Sequence, residues 1–256
     1  MYSEVVEKLG NAAIAKKNFL KGNKIGYIIG GLLAGLYVGL GIILIMTVGS
    51  LAKPSGPQFK ILMGVSFGVA LSLVIMAGSE LFTGNNLIMA AGALEKKVSW
   101  IDAVKIWIFS YFGNLLGSTL VGSLFLATGS VKPDNALGQF ILGLSKAKMT
   151  APASNLFFKG ILCNILVCLA VLCAVKMKEE TGKLIMIWWA LFAFITSGFE
   201  HSIANMTIFT MGVGISNIPE VSLAGYAHNM LWVTLGNMVG GIGLAFCYYL
   251  MGKKSK

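Results

Sequence analysis

The sequence contains no arginine, only two histidines, four cysteines and ten acidic residues among 256 positions. Each shortage removes a class of function. A nucleic-acid groove normally uses arginine forks with interleaved aromatics on a polar face, so the formal net charge of +10, carried entirely by lysine, does not indicate a nucleic-acid partner. The cysteines show no two-residue pairing, and Cys163, Cys168 and Cys173 follow at five-residue steps. Such steps turn about 140° on a helix, so these three thiols cannot share one metal-binding face. They and Cys247 read as buried apolar thiols, and neither a metal nor a cofactor is expected. Charged residues of both signs make up only 12% of the chain, roughly half the fraction a soluble domain needs to face water.

What is present is apolar. Hydrophobic residues make up 56% of the sequence and the mean hydropathy is +0.80. Long apolar runs cover 25–51, 59–94, 101–130, 156–175, 184–216 and 226–251, which predicts six membrane segments in a transmembrane domain over 25–252. Lysine clusters at 8–24, 96–97, 176–183 and 253–256 alternate with poorer loops holding Lys53, Lys60, Lys132, Lys146 and Lys148. That bias places both termini in the cytoplasm of a multi-pass protein. Residues 1–24 start with acids and lack the basic start of a signal peptide. Val5, Val6, Leu9, Ala12, Ala13 and Phe19 share one helical face there, which predicts an amphipathic interfacial helix. Residues 253–256 read as a short basic cytoplasmic tail.

Segments two and five exceed the length of one crossing but are too short for two, and each holds a polar string. Ser79 to Asn86 interrupts the second and Thr196 to Asn205 the fifth, so both helices are expected to break. Non-helical backbone at membrane depth survives only where protein or a water-filled cavity satisfies it. The strings are related: Glu80 and Asn85 recur as Glu200 and Asn205, 120 positions later. Gly113-Asn114-x-x-Gly117 returns as Gly236-Asn237-x-x-Gly240 after 123. A duplicated unit of three helices must enter the bilayer from opposite sides in its two copies, giving an inverted repeat with a site at the midplane. The 32 glycines, many at close helical spacing, read as packing positions.

His201 is the histidine set deep in an apolar run, next to Glu200, and an ionisable group there marks a functional site. The charge on an imidazole at such a place depends on what lies beside it, so His201 is a candidate proton donor to a weak-acid anion. Glu80 and Glu200 are expected to accept hydrogen bonds from loose backbone N–H groups at the breaks. His228 and Lys159 read as interfacial, with Lys159 snorkelling.

The strings Gly78-Ser-Glu-Leu-Phe-Thr-Gly-Asn85 and Phe199-Glu-His-Ser-Ile-Ala-Asn-Met206 resemble the two signatures of the formate/nitrite transporter family, and the resemblance extends over the whole chain. It implies an aquaporin-like six-helix protomer with its own pore, assembled as a homopentamer in a prokaryotic cytoplasmic membrane, passing small monovalent anions and protons. Matched by position, Thr83 and His201 would face each other at the pore centre. Leu71 and Phe194 would form a cytoplasmic constriction, with Phe67, Phe82 and Val167 in an outer one and Leu81 beside Phe82 in the gating loop. Asn164, Asn237 and Lys148 would add polar contacts at the centre or its approach. Thr207-Ile-Phe-Thr210 departs from the proline-containing stretch of formate-type members, which moves the expected ion from formate towards hydrosulfide. A membrane redox or metal enzyme would need further ligands. A neutral-solute pore would be expected to carry paired Asn-Pro-Ala signatures, which this chain lacks.

Overall fold

The computed structural model describes residues 2–53 and 56–253, and among these it is built of helices without strands. Residues 254–256 of the expected basic tail lie outside the described residues. In chain order the helices are α1 (Tyr2–Gly22), α2 (Lys24–Ala52), α3 (Phe59–Ser66), α4 (Gly68–Met76), α5 (Phe82–Leu94), α6 (Trp100–Ala127), α7 (Ala136–Met149), α8 (Ala153–Lys176), α9 (Glu180–Thr196), α10 (Ser202–Gly214) and α11 (Leu223–Gly252). Five stretches are long and apolar enough to cross a membrane: α2, the Phe59–Met76 stretch bent at Phe67, α6, α8 and α11. The fifth apolar run divides into α9, of 17 residues, and α10, of 13.

Polar caps set several starts. Asn23, Asn135 and Ser222 accept from the backbone N–H three residues on, and Ser99 forms a reciprocal capping box with Asp102. The packing is inside-out by soluble standards. Large apolar side chains such as Ile25 and Ile29 on α2, Ile108, Phe112 and Leu124 on α6, and Phe246 and Leu250 on α11 are exposed. Asn85, Asn86, Asn114, Asn164, Asn205, Asn229 and Asn237 are buried. Water would penalise that outer surface, whereas lipid accommodates it.

The long helices pair as α2 with α6 and α8 with α11. Glycine makes the contact possible: a Cβ on Gly31 would sit 3.1 Å from the Cα of Gly113, and one on Gly236 would sit 3.1 Å from the Cα of Gly160. Two shorter helices close the ends of the bundle. α1 packs on α2, α5 and α11, whereas α7 packs on α2, α10 and α11.

Three expectations change here. The face of α1 carrying Val5, Val6, Leu9 and Ala13 is buried against protein rather than laid on lipid, with Leu20 in place of the exposed Phe19. Residues 136–149, which sequence reading leaves as a loop, form α7, with Lys146 and Lys148 in its last turn. Favourable charge at the negative helix end and the Asn135 cap account for it. Cys247 is exposed on α11 rather than buried.

Candidate functional site

Both breaks share one construction. Before each, a glycine takes a left-handed conformation: Gly78 at φ +77° and Gly198 at φ +71°. This lets the backbone leave the helix at little cost. The chain then runs extended through Leu81 and through His201, and a new helix begins at Phe82 and at Ser202. The Glu80 N–H donates to Gly30 O at 3.0 Å, and the Glu200 N–H to Lys159 O at 3.3 Å.

One asparagine braces each break. The Asn114 amide donates to Gly31 O (2.8 Å) and Glu80 O (2.9 Å), and its oxygen accepts from Phe82 N (2.9 Å). Asn237 donates to Gly160 O (2.8 Å) and Glu200 O (2.9 Å) and accepts from Ser202 N (2.9 Å). The loose N–H groups at the new helix starts are therefore satisfied by asparagines of α6 and α11, not by Glu80 and Glu200 as the sequence reading expects. Asn237 is saturated by backbone partners and braces the break instead of facing the centre.

The carboxylates serve elsewhere. Glu80 Oε2 accepts from Lys16 Nζ (2.7 Å), Tyr27 Oη (2.7 Å) and Asn85 Nδ2 (3.2 Å). Glu200 accepts from Lys148 Nζ (2.8 Å) and Asn205 Nδ2 (2.7 Å), while Asn229 joins Asn205 to the Lys148 carbonyl. Each end-closing helix thus sends one lysine to the glutamate of a break. Sequence reading missed Lys16, Tyr27, Asn114 and Asn229 as members of these networks. The recurrence of Gly-Asn in α6 and α11 was the signal that could have found Asn114.

Between the breaks, the Thr83 hydroxyl lies 3.0 Å from His201 Nε2, and both side chains are buried. His201 Nδ1 accepts the Ala204 N–H at 3.2 Å, capping α10. A nitrogen that accepts holds no proton, so the neutral ring carries its proton on Nε2 and donates it to Thr83 Oγ1. The threonine hydroxyl hydrogen is then free for a third group. Asn164 ties this centre to the bundle, donating to Asn86 Oδ1 (3.1 Å), Thr83 O (3.3 Å) and Asn237 O (2.6 Å).

A vestibule of about 430 Å³ leads inward to His201, with Phe194, Glu200 and Ala204 in its wall and Lys53, Lys60, Lys148 and Lys159 around it. Four cations against one carboxylate attract an anion. Lys53, Lys60 and Lys159 are additions to the predicted approach, Lys159 being an exposed residue of α8. His228 lies to one side, its Nε2 3.0 Å from Ala151 O.

The constriction residues are grouped differently from their expected pairing. The Phe67 and Phe194 rings meet edge to face at 5.6 Å, and Phe194, which lines the vestibule, stacks over His201 at 5.9 Å. The bend at Phe67 turns its ring towards α9. Leu71, Leu81, Phe82 and Val167 are buried in the core, with Phe82 edge-on to Tyr111 at 5.0 Å. Thr207 and Thr210 do not line the vestibule. Thr207 reaches towards Ser118 O at 3.5 Å on α6, and Thr210 bonds Met206 O within α10.

An all-helical bundle with an apolar exterior, two interrupted helices and a lysine-ringed funnel ending at a buried polar pair has the build of a membrane channel or transporter. A family model described as formate/nitrite transporter matches residues 3–251, and the chain belongs to that family. It is 42% identical to the nitrite transporter NirC of Salmonella typhimurium over 97% of this chain and 92% of that one. A solved structure titled "FNT family ion channel" superposes with a TM-score of 0.92 at 41% identity, covering 98% of this chain and 99% of the other. A "Pentameric formate channel with formate bound" superposes with a TM-score of 0.79 at 30% identity, covering 88% and 96%. These relatives are transporters and channels, not enzymes.

Proposed function

We propose that this protein conducts small monovalent weak-acid anions through each protomer, and that Thr83 and His201 form the polar centre of the path. The observation that carries this reading is the buried 3.0 Å hydroxyl–imidazole contact beside the lysine-lined vestibule. An anion drawn in by Lys148 and its neighbours sheds water against the Phe194 ring, which walls the vestibule and stacks over His201, since an apolar constriction excludes fully hydrated ions. At the centre it meets the free Thr83 hydroxyl hydrogen and the positive N-terminal ends of α5 and α10. The neutral ring keeps its one N–H on Thr83 and acts through that hydroxyl, whose hydrogen it leaves free for the anion. Transfer of a proton to the anion requires a doubly protonated ring, which must give up the Ala204 N–H and loosen the start of α10.

The matching glycines, glutamates and asparagines of the two breaks support an inverted 3+3 repeat of six spans, with the split α9–α10 run as the fifth. The lysine bias supports cytoplasmic termini, and the pentameric formate channel supports a homopentamer. The relative named a nitrite transporter makes nitrite the first candidate ion. Hydrosulfide rested on Thr207 and Thr210, whose side chains turn towards α6 and along α10, away from the vestibule. The test is uptake of nitrite, formate and hydrosulfide in competition by proteoliposomes. Nitrite uptake well above empty vesicles is expected, and no flux of any of the three rejects the proposal.

A further inference from the structure

The α1-capped end of the bundle carries a second concentration of positive charge, separate from the vestibule. A cavity of about 510 Å³ is lined by Lys17, Lys21, Lys24 and Lys105 around Asp102, with Leu20, Ile106 and Phe109 as its apolar wall. An adjoining cavity shares Lys17, Asp102 and Lys105 and adds Lys96, Lys97 and Trp100. Lys17 is committed to Asp102 at 2.9 Å and Lys97 to Glu95 at 3.3 Å. Among the described residues, no carboxylate lies within ion-pair distance of Lys21, Lys24 or Lys105.

The position explains what such a cluster can hold. It lies at the starts of α2 and α6, where the exposed apolar faces begin with Ile25 and Ile29 on one helix and Ile101 and Ile108 on the other, beside an exposed Trp100. A free inorganic anion would gain from the ammonium groups alone. A phosphodiester joined to acyl chains gains also from the apolar wall of the cleft and from the exposed apolar side chains that continue along α2 and α6. Lysines next to membrane spans bind anionic head groups in this way, and an aromatic at that level suits the membrane–water interface.

We propose that this cleft is a binding site for an anionic phospholipid, with the phosphodiester held by Lys21, Lys24 and Lys105 and a chain lying against Phe109 and the exposed apolar faces of α2 and α6. The inference rests on membrane insertion but not on the identity of the transported ion. Native mass spectrometry of the detergent-solubilised protein with added phosphatidylglycerol or phosphatidylcholine tests it. Wild-type protein should retain phosphatidylglycerol more than about tenfold over phosphatidylcholine, as three lysines near the surface allow. The variant Lys21→Gln/Lys24→Gln/Lys105→Gln should lose that preference, and Phe109→Gln should weaken it. Excess inorganic phosphate should not displace the lipid. Equal retention of the two lipids by wild-type protein, an undiminished preference in the triple variant, or displacement by inorganic phosphate would overturn the proposal. Nitrite uptake by the triple variant in phosphatidylcholine vesicles should match wild type, which separates loss of this site from misfolding and from failure of the channel reading.

Discussion

His201 joins two jobs in one ring, since Nδ1 caps α10 while Nε2 meets Thr83. Asparagine can keep the cap, its oxygen accepting from Ala204, but it is too short to reach Thr83 as Nε2 does and never takes a second proton. If the doubly protonated ring hands on the proton, wild-type uptake should rise as external pH falls, and His201→Asn should keep its assembly but show no such rise. An unchanged pH profile in that variant would remove the ring from the proton path. Lys148 gives a second test, because it neutralises the buried Glu200 as well as attracting anions. Lys148→Met leaves that carboxylate unpaired, at a cost of about 3–5 kcal/mol. Lys148→Met/Glu200→Gln should recover most of the thermal stability but not the uptake, and recovery of both would limit the lysine to a structural role. His201, Thr83 and both glutamates are visible in sequence as polar residues where polarity is expensive. Lys16, Tyr27 and Asn229 are not, because they reach the breaks from other helices and their spacing carries no trace of the contact.

The breaks are elements made by distant partners. Leu81 has no side-chain cap to offer the helix it precedes, so Asn114 on α6 supplies the acceptor, and Asn237 on α11 does the same for Ser202. Asn237→Leu strands one donor and two acceptors. At about 1 kcal/mol or more for each buried group, the thermal midpoint should fall by roughly 6–12 °C, and a fall of under a degree would show that the brace is dispensable. Helix limits were legible because apolar run length reads directly on them, to within a few residues at α2, α6, α8 and α11. The identity of α7 was not, since a short helix with lysines at its end looks like a polar loop until Asn135 is recognised as its cap. The grouping of Phe67 with Phe194 was also hidden, because it depends on the bend between α3 and α4.

At the scale of the molecule, the sequence repeat and the paired hydrogen bonds describe the same division into halves, with α1 and α7 each sending a lysine inward to a glutamate. Native mass measurement of the purified protein should give five copies, and a monomer that still transports would show the protomer to be sufficient alone. The thermodynamic demand on the assembly is one path for an anion through an apolar slab, and among the described residues the Thr83–His201 centre brings an imidazole and a hydroxyl together beside the lysine funnel. Filling that centre is the direct test. In proteoliposomes His201→Phe, with its fold checked by thermal melting, should take up nitrite no faster than protein-free vesicles, whereas uptake equal to that of the wild-type protein would place the conducting path elsewhere.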